Sequence, residues 1–86
     1  MAVTEVPDKT MTFDIGSERE REVWNDMQSV YKSLVDRGYN PINQIVGYIL
    51  SEDPTFITVH GGARNLIRHI TRDELLTILV KSYLKK

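Results

Sequence analysis

An all-α fold is predicted by three features of the sequence. Ser17/Glu20 and Thr71/Glu74 have the spacing of capping boxes, Asn40-Pro41 and Asp53-Pro54 have the form of helix starts, and four apolar stripes recur at helical spacing. The expected architecture is a compact helical domain of four main helices and a short helical turn over residues 17–86. A flexible N-terminal tail precedes it over residues 1–16, and the domain is expected to be dimeric.

The tail comes first. Residues 1–16 show no sustained periodicity and scatter Thr4, Pro7, Asp8, Thr10, Thr12 and Gly16 among isolated apolar residues. Such a segment offers little surface to repay its ordering entropy, so it is expected to be mobile, with at most an extended patch at Met11–Ile15 docking through Phe13. The first helix follows over Glu18–Arg37, with Ser17 as N-cap and Glu20 completing the box. Val23, Met27, Val30, Tyr31 and Leu34 give it one apolar face, and Gly38 stops it by taking the left-handed conformation. Asn40 caps the second helix and Pro41 fills its first position, where a missing N–H costs nothing.

Ile42, Ile45, Val46 and Ile49 form the stripe of this second helix, which ends near Ser51. Gly47 lies inside it at a cost of about 1 kcal/mol relative to alanine, which implies close approach of another backbone, within the fold or across a dimer. Asp53-Pro54 opens a single turn over Pro54–Ile57, and His60-Gly61-Gly62 reads as a loop. A short helix over Ala63–His69 carries Leu66, Ile67 and Ile70 inward. Thr71 and Glu74 start the last helix, Arg72–Leu84, which carries Leu75, Leu76, Leu79, Val80 and Tyr83. Lys81, Lys85 and Lys86 complement its negative end.

Composition narrows the function classes. The chain has 86 residues, 11 basic and 12 acidic, for a formal net charge of -1, which provides no electrostatic pull toward nucleic acid or anionic membrane. It has no cysteine, so disulfides, thiolate zinc sites and cysteine nucleophiles are excluded. The first ten residues lack the apolar core of a signal peptide, and no apolar run approaches the roughly 18 residues of a membrane span. The cytoplasm is therefore the expected compartment, without membrane insertion.

No catalytic, cofactor or metal site is expected. His60 and His69 lie in different elements, and no spacing puts two metal ligands on one helix face. Glu18, Glu20 and Glu22 alternate with Arg19 and Arg21 as on a solvated helix start. Gly61-Gly62 before a helix is a weak anion-cradle signal that an ordinary turn also explains. Arg64, Asn65 and Arg68 share a helix and give the DNA-binding alternative its basis, against which stands the missing basic excess. Thr4, Thr10 and Thr12 are hydroxyls on an unpacked segment that a kinase can accept, although most tail threonines are never modified.

The segment Arg37-Gly38-Tyr39-Asn40-Pro41-Ile42-Asn43-Gln44-Ile45-Val46-Gly47-Tyr48 closely resembles the signature of the IreB family of small regulatory phosphoproteins from low-GC Gram-positive bacteria. Further blocks agree: Val30–Leu34, Asp53-Pro54, Ala63–Arg68, Arg72–Leu75, Leu79–Leu84 and the opening Asp8-Lys9-Thr10-Met11-x-Phe13. The resemblance spans nearly the whole chain. It implies a non-enzymatic, dimeric, helical protein phosphorylated by a membrane-anchored Ser/Thr kinase with PASTA repeats and dephosphorylated by a partner phosphatase. The implied setting is cell-envelope stress signalling, including cephalosporin tolerance, with an unknown downstream protein. Thr10 matches the family's D-x-T-x-x-F pattern, and Thr4 and Thr12 match it less well. Gly47, Tyr48, Arg64 and Arg68 are the candidate dimer or partner contacts. Two departures stand out: His60-Gly61-Gly62 replaces a more polar segment, and Thr58 stands where a proline is usual. The alternatives are a helical transcriptional or nucleic-acid-associated regulator and, third, an enzyme accessory subunit.

Overall fold

The computed structural model describes residues 15–85, and all of their regular structure is helical. The first helix, α1 (Ser17–Asp36), begins one residue earlier than the sequence pattern predicts. Gly16 is its N-cap, and the Gly16 carbonyl accepts from the Glu20 N–H at 2.9 Å. Ser17 is thereby already helical, and the Ser17–Glu20 capping box does not form. Glu20 instead reaches Lys81 of the last helix at 3.2 Å. At the other end the chain closes as a Schellman turn. Gly38 adopts φ 81°, its N–H donates to the Val35 carbonyl at 2.9 Å, and the Tyr39 N–H donates to Leu34 at 3.0 Å.

The next starts follow the local rules. Asn40 caps α2 (Pro41–Ser51), its side chain accepting from the Asn43 N–H at 3.1 Å. Glu52 ends α2 in the left-handed conformation, φ 59°. No basic residue lies in the last turn of α2. Arg72 from the far side of the fold supplies the cation there, donating to the Ile49 carbonyl at 3.0 Å and pairing with Glu52 at 2.8 Å. A 3-10 turn at Pro54–Phe56 is capped by Asp53, and a second at His60–Gly62 leads into α3 (Ala63–Arg68). The capping box of Thr71 and Glu74 forms as expected and starts α4 (Arg72–Leu84).

The core is built on one side of α1. Val23, Val30 and Leu34 pack with Ile57, Ala63, Ile67 and Ile70, with Tyr48 of α2, and with Leu75 and Ile78 of α4. α3 runs back along α1: Gly61 meets Ser33 near one end, and the His69 carbonyl meets Arg19 near the other. Ile15 is half-buried against this core, so packing begins before the expected tail boundary at Gly16. Thr4, Thr10, Thr12 and Phe13 lie outside the described residues, as does the mobility expected of the tail.

Two of the apolar stripes are only partly buried. In α2 the buried residue is Tyr48, Ile45 and Ile49 are half-buried, and Ile42 and Val46 are exposed. In α4 Leu75 and Ile78 are buried, whereas Leu76, Leu79, Val80 and Tyr83 are exposed. Helical periodicity shows that such a face exists; what it packs against depends on the neighbouring elements.

Candidate functional site

A recess of about 450 Å³ lies where the end of α1, the start of α2 and the two 3-10 turns converge on α3. The Schellman turn at Gly38 places Arg37 and Tyr39 on one wall. Gln44, from the first turn of α2, spans to the next segment by donating from Nε2 to the Phe56 carbonyl at 2.9 Å. Thr55, Thr58, Val59 and His60 form the rim opposite. Arg64 of α3 closes it, its Nε donating to the buried Ile57 carbonyl at 2.8 Å. That bond anchors the guanidinium and leaves its two terminal nitrogens without a hydrogen-bond partner among the described residues.

Among the described residues no carboxylate lines the recess, and Asp36 and Asp53 stand beside it. Asp36 lies 3.9 Å from His60 Nε2 and also pairs with Lys32 at 3.4 Å. Asp53 is held below the usual carboxylate range, first by the Thr55 backbone N–H, then by the Thr55 hydroxyl and by the charge of Arg64. Among the described residues, no group of three His, Asp or Glu side chains is placed to hold a metal ion.

A second feature is apolar. Met27 and Tyr31 of α1, Ile42, Ile45, Val46 and Ile49 of α2, and Leu79 of α4 surround a shallow groove of about 330 Å³. Tyr31, Ile42, Val46 and Leu79 are all more than two-fifths exposed. These exposed apolar side chains form one contiguous face across three helices.

The residues singled out from the sequence fall in different places. Arg64 is in the recess, whereas Arg68 is exposed one turn further along α3 and does not line it. Tyr48 is in the core rather than on a partner surface. Gly47 faces the Phe56 ring of its own chain, where a Cβ would lie 2.5 Å from Phe56 Cε1; its close neighbour is an aromatic side chain and not the expected backbone. Arg37, Tyr39, Gln44 and Thr55 were not legible as site residues, because separate segments of the chain contribute them. The dense family-like block at 37–48 holds the first three, and Thr58 stood out only as a departure from the family pattern.

An ionic clasp holds the opposite end of α1. Arg19 donates to both Glu74 oxygens, at 3.0 and 2.9 Å, and to the His69 carbonyl at 2.8 Å. The Arg19 bonds pull the Glu74 carboxyl down to about 2, with the Thr71 backbone N–H assisting, and Glu74 in turn raises Arg19.

A small helical fold with a cation-lined recess and an exposed apolar groove offers surfaces for recognition, and its class is that of a small regulatory protein. The family model of the IreB regulatory phosphoprotein matches residues 8–85. The chain belongs to the IreB family. The match includes Thr10 and Thr12 and leaves Thr4 outside. No helix of the described residues is long and apolar enough to cross a membrane.

Proposed function

We propose that this protein is a cytoplasmic, non-catalytic signalling adaptor whose binding is controlled by phosphorylation of Thr10. A Ser/Thr kinase adds the phosphate and a phosphatase removes it, with cell-envelope stress and cephalosporin resistance as the physiological setting. The observation that carries this reading is the family match over residues 8–85, a phosphoprotein family whose matched span begins two residues before Thr10. A phosphate adds about -1.5 to -2 charge, which is large against a net charge of -1. Phosphorylation by the cognate kinase followed by peptide mapping tests the site. Label that survives Thr10→Ala undiminished refutes it.

The adaptor acts as a homodimer through the groove between α1, α2 and α4. The groove is apolar on three helices at once, and a two-fold axis across it pairs each stripe with its own copy. DNA binding is disfavoured by the fold: α3 has six residues, and its Arg64 is tied to Ile57.

A further inference from the structure

The recess at the end of α1 has the donors of an oxyanion site. Arg37 and Arg64 approach it from separate elements. The Arg37 side chain is exposed and has no hydrogen-bond or ion-pair partner among the described residues. Arg64 is half-buried and braced through Nε, so its remaining nitrogens are held in place before a ligand arrives. The hydroxyls of Tyr39 and Thr58 add neutral donors, the Thr55 proton being held by Asp53, and Phe56 and Val59 add apolar wall. Two guanidinium groups and two hydroxyls match a phosphate dianion with three acceptor oxygens better than a single carboxylate. The volume, about 450 Å³, exceeds what a bare phosphate needs and admits the flanking residues of a peptide.

Reach decides where that peptide comes from. The 20 residues of α1 separate its ends by about 30 Å. The chain enters at the start of α1, and the recess lies at its end. Thr10 is five residues before Ile15, a span of at most about 18 Å when fully extended. To bring a phosphate on Thr10 to the recess of its own chain, the whole segment before Ile15 would have to run fully extended along α1, an ordering cost that delivery from a second copy does not carry. We propose that this recess is a phosphothreonine site that takes the Thr10 segment of a second copy. The sequence around Thr10 suits the walls, since Met11 and Phe13 can meet Phe56 and Val59. Phosphorylation then links two molecules through a contact separate from the apolar groove.

The inference rests on Thr10 being the modified residue, but its test does not depend on a kinase. A synthetic peptide of residues 6–15 carrying phosphothreonine at Thr10 is titrated into the isotope-labelled full chain, with the unphosphorylated peptide and inorganic phosphate as parallel arms. The phosphopeptide is expected to shift the amides of Tyr39, Thr58, Val59 and His60 and to bind at least about tenfold more tightly than the unmodified peptide. Arg64→Gln and Arg37→Gln should each abolish most of that gain. Arg37→Gln guards against loss through unfolding, because its side chain braces nothing among the described residues. Arg68→Gln should bind like the wild type.

Equal binding of the two peptides overturns the proposal, as do shifts centred on Arg68. Inorganic phosphate reproducing every shift, with no gain from the peptide, reduces the recess to an adventitious ion only and overturns it too. A last arm mixes unlabelled, Thr10-phosphorylated full chain with labelled Thr10→Ala chain. Recess shifts in the labelled chain support delivery from a second copy. An unshifted labelled chain, where the reverse labelling shows recess shifts within the phosphorylated chain itself, refutes it.

Discussion

Removing Arg19 should unfasten the clasp between the start of α1 and the start of α4. Arg19→Met keeps most of the aliphatic stem and deletes the bonds to Glu74 and to the His69 carbonyl. The Glu74 carboxyl lies at about 2 in the folded chain against an ordinary 4.5, a difference worth about 3 kcal/mol at about 1.4 kcal/mol per unit. Both side chains keep some contact with water, 33% for Arg19 and 23% for Glu74, and screening leaves about 1–2 kcal/mol of this. A domain of this length has a total stability of about 4–13 kcal/mol, so the loss is a sizeable share. The melting temperature should fall by about 5–15 °C at pH 7.

The sign of the pH effect follows from the direction of the shift. Glu74 is depressed on folding, so its contribution is complete above about 4.5 and drains away as the pH falls toward 2. The wild type should therefore lose stability across that window, and Arg19→Met should show a flatter acid limb. Circular dichroism melts of both proteins between pH 2 and 7, a range of about five units that covers the titration, provide the assay. Equal melting temperatures at pH 7 together with parallel acid limbs would refute the reasoning.

Three further outcomes are expected. Gly47→Ala should destabilise by about 1–2 kcal/mol despite the better helix propensity of alanine, because its Cβ meets the Phe56 ring; denaturant titration checks this, and Phe56→Leu in the same chain should recover part of the loss. Gly61→Ala combines φ 64° with a Cβ 2.6 Å from Ser33 Oγ, and should cost about 2 kcal/mol in the same assay, with Ser33→Gly relieving only the contact. Val46→Glu places a charge at a half-exposed position of the apolar groove, and sedimentation should show a folded monomer where the wild type is a dimer; a monomeric wild type sinks the dimer reading.

Local chemistry was legible, and its spatial consequences were not. Asn40-Pro41, Asp53-Pro54, Gly38 and Thr71/Glu74 act on backbone groups within four residues, so their spacing alone specifies the structure. Ser17/Glu20 has equally good spacing and fails. Gly16 captures the first carbonyl bond, and Lys81, 61 residues away, engages Glu20. Gly47 announced that something must approach closely without saying that it was Phe56. The recess has no linear signature: Arg64 stood out as a basic residue on a helix, but its partner Arg37 arrives only through the turn at Gly38.

The position of the core contacts along α4 has a consequence for how the molecule opens. Leu75 and Ile78, the buried residues of α4, both lie in its first half, and the second half carries Leu79, Val80, Tyr83 and Leu84 exposed. Among the described residues no side chain of this second half is buried, and the Lys81–Glu20 pair is one exposed tether that holds it. In the language of amide exchange, this half-helix is a low-energy opening unit, able to unwind while α1 and α3 stay intact. Whatever covers Leu79 would then report its arrival as slowed exchange at the end of α4, before any change reaches the core.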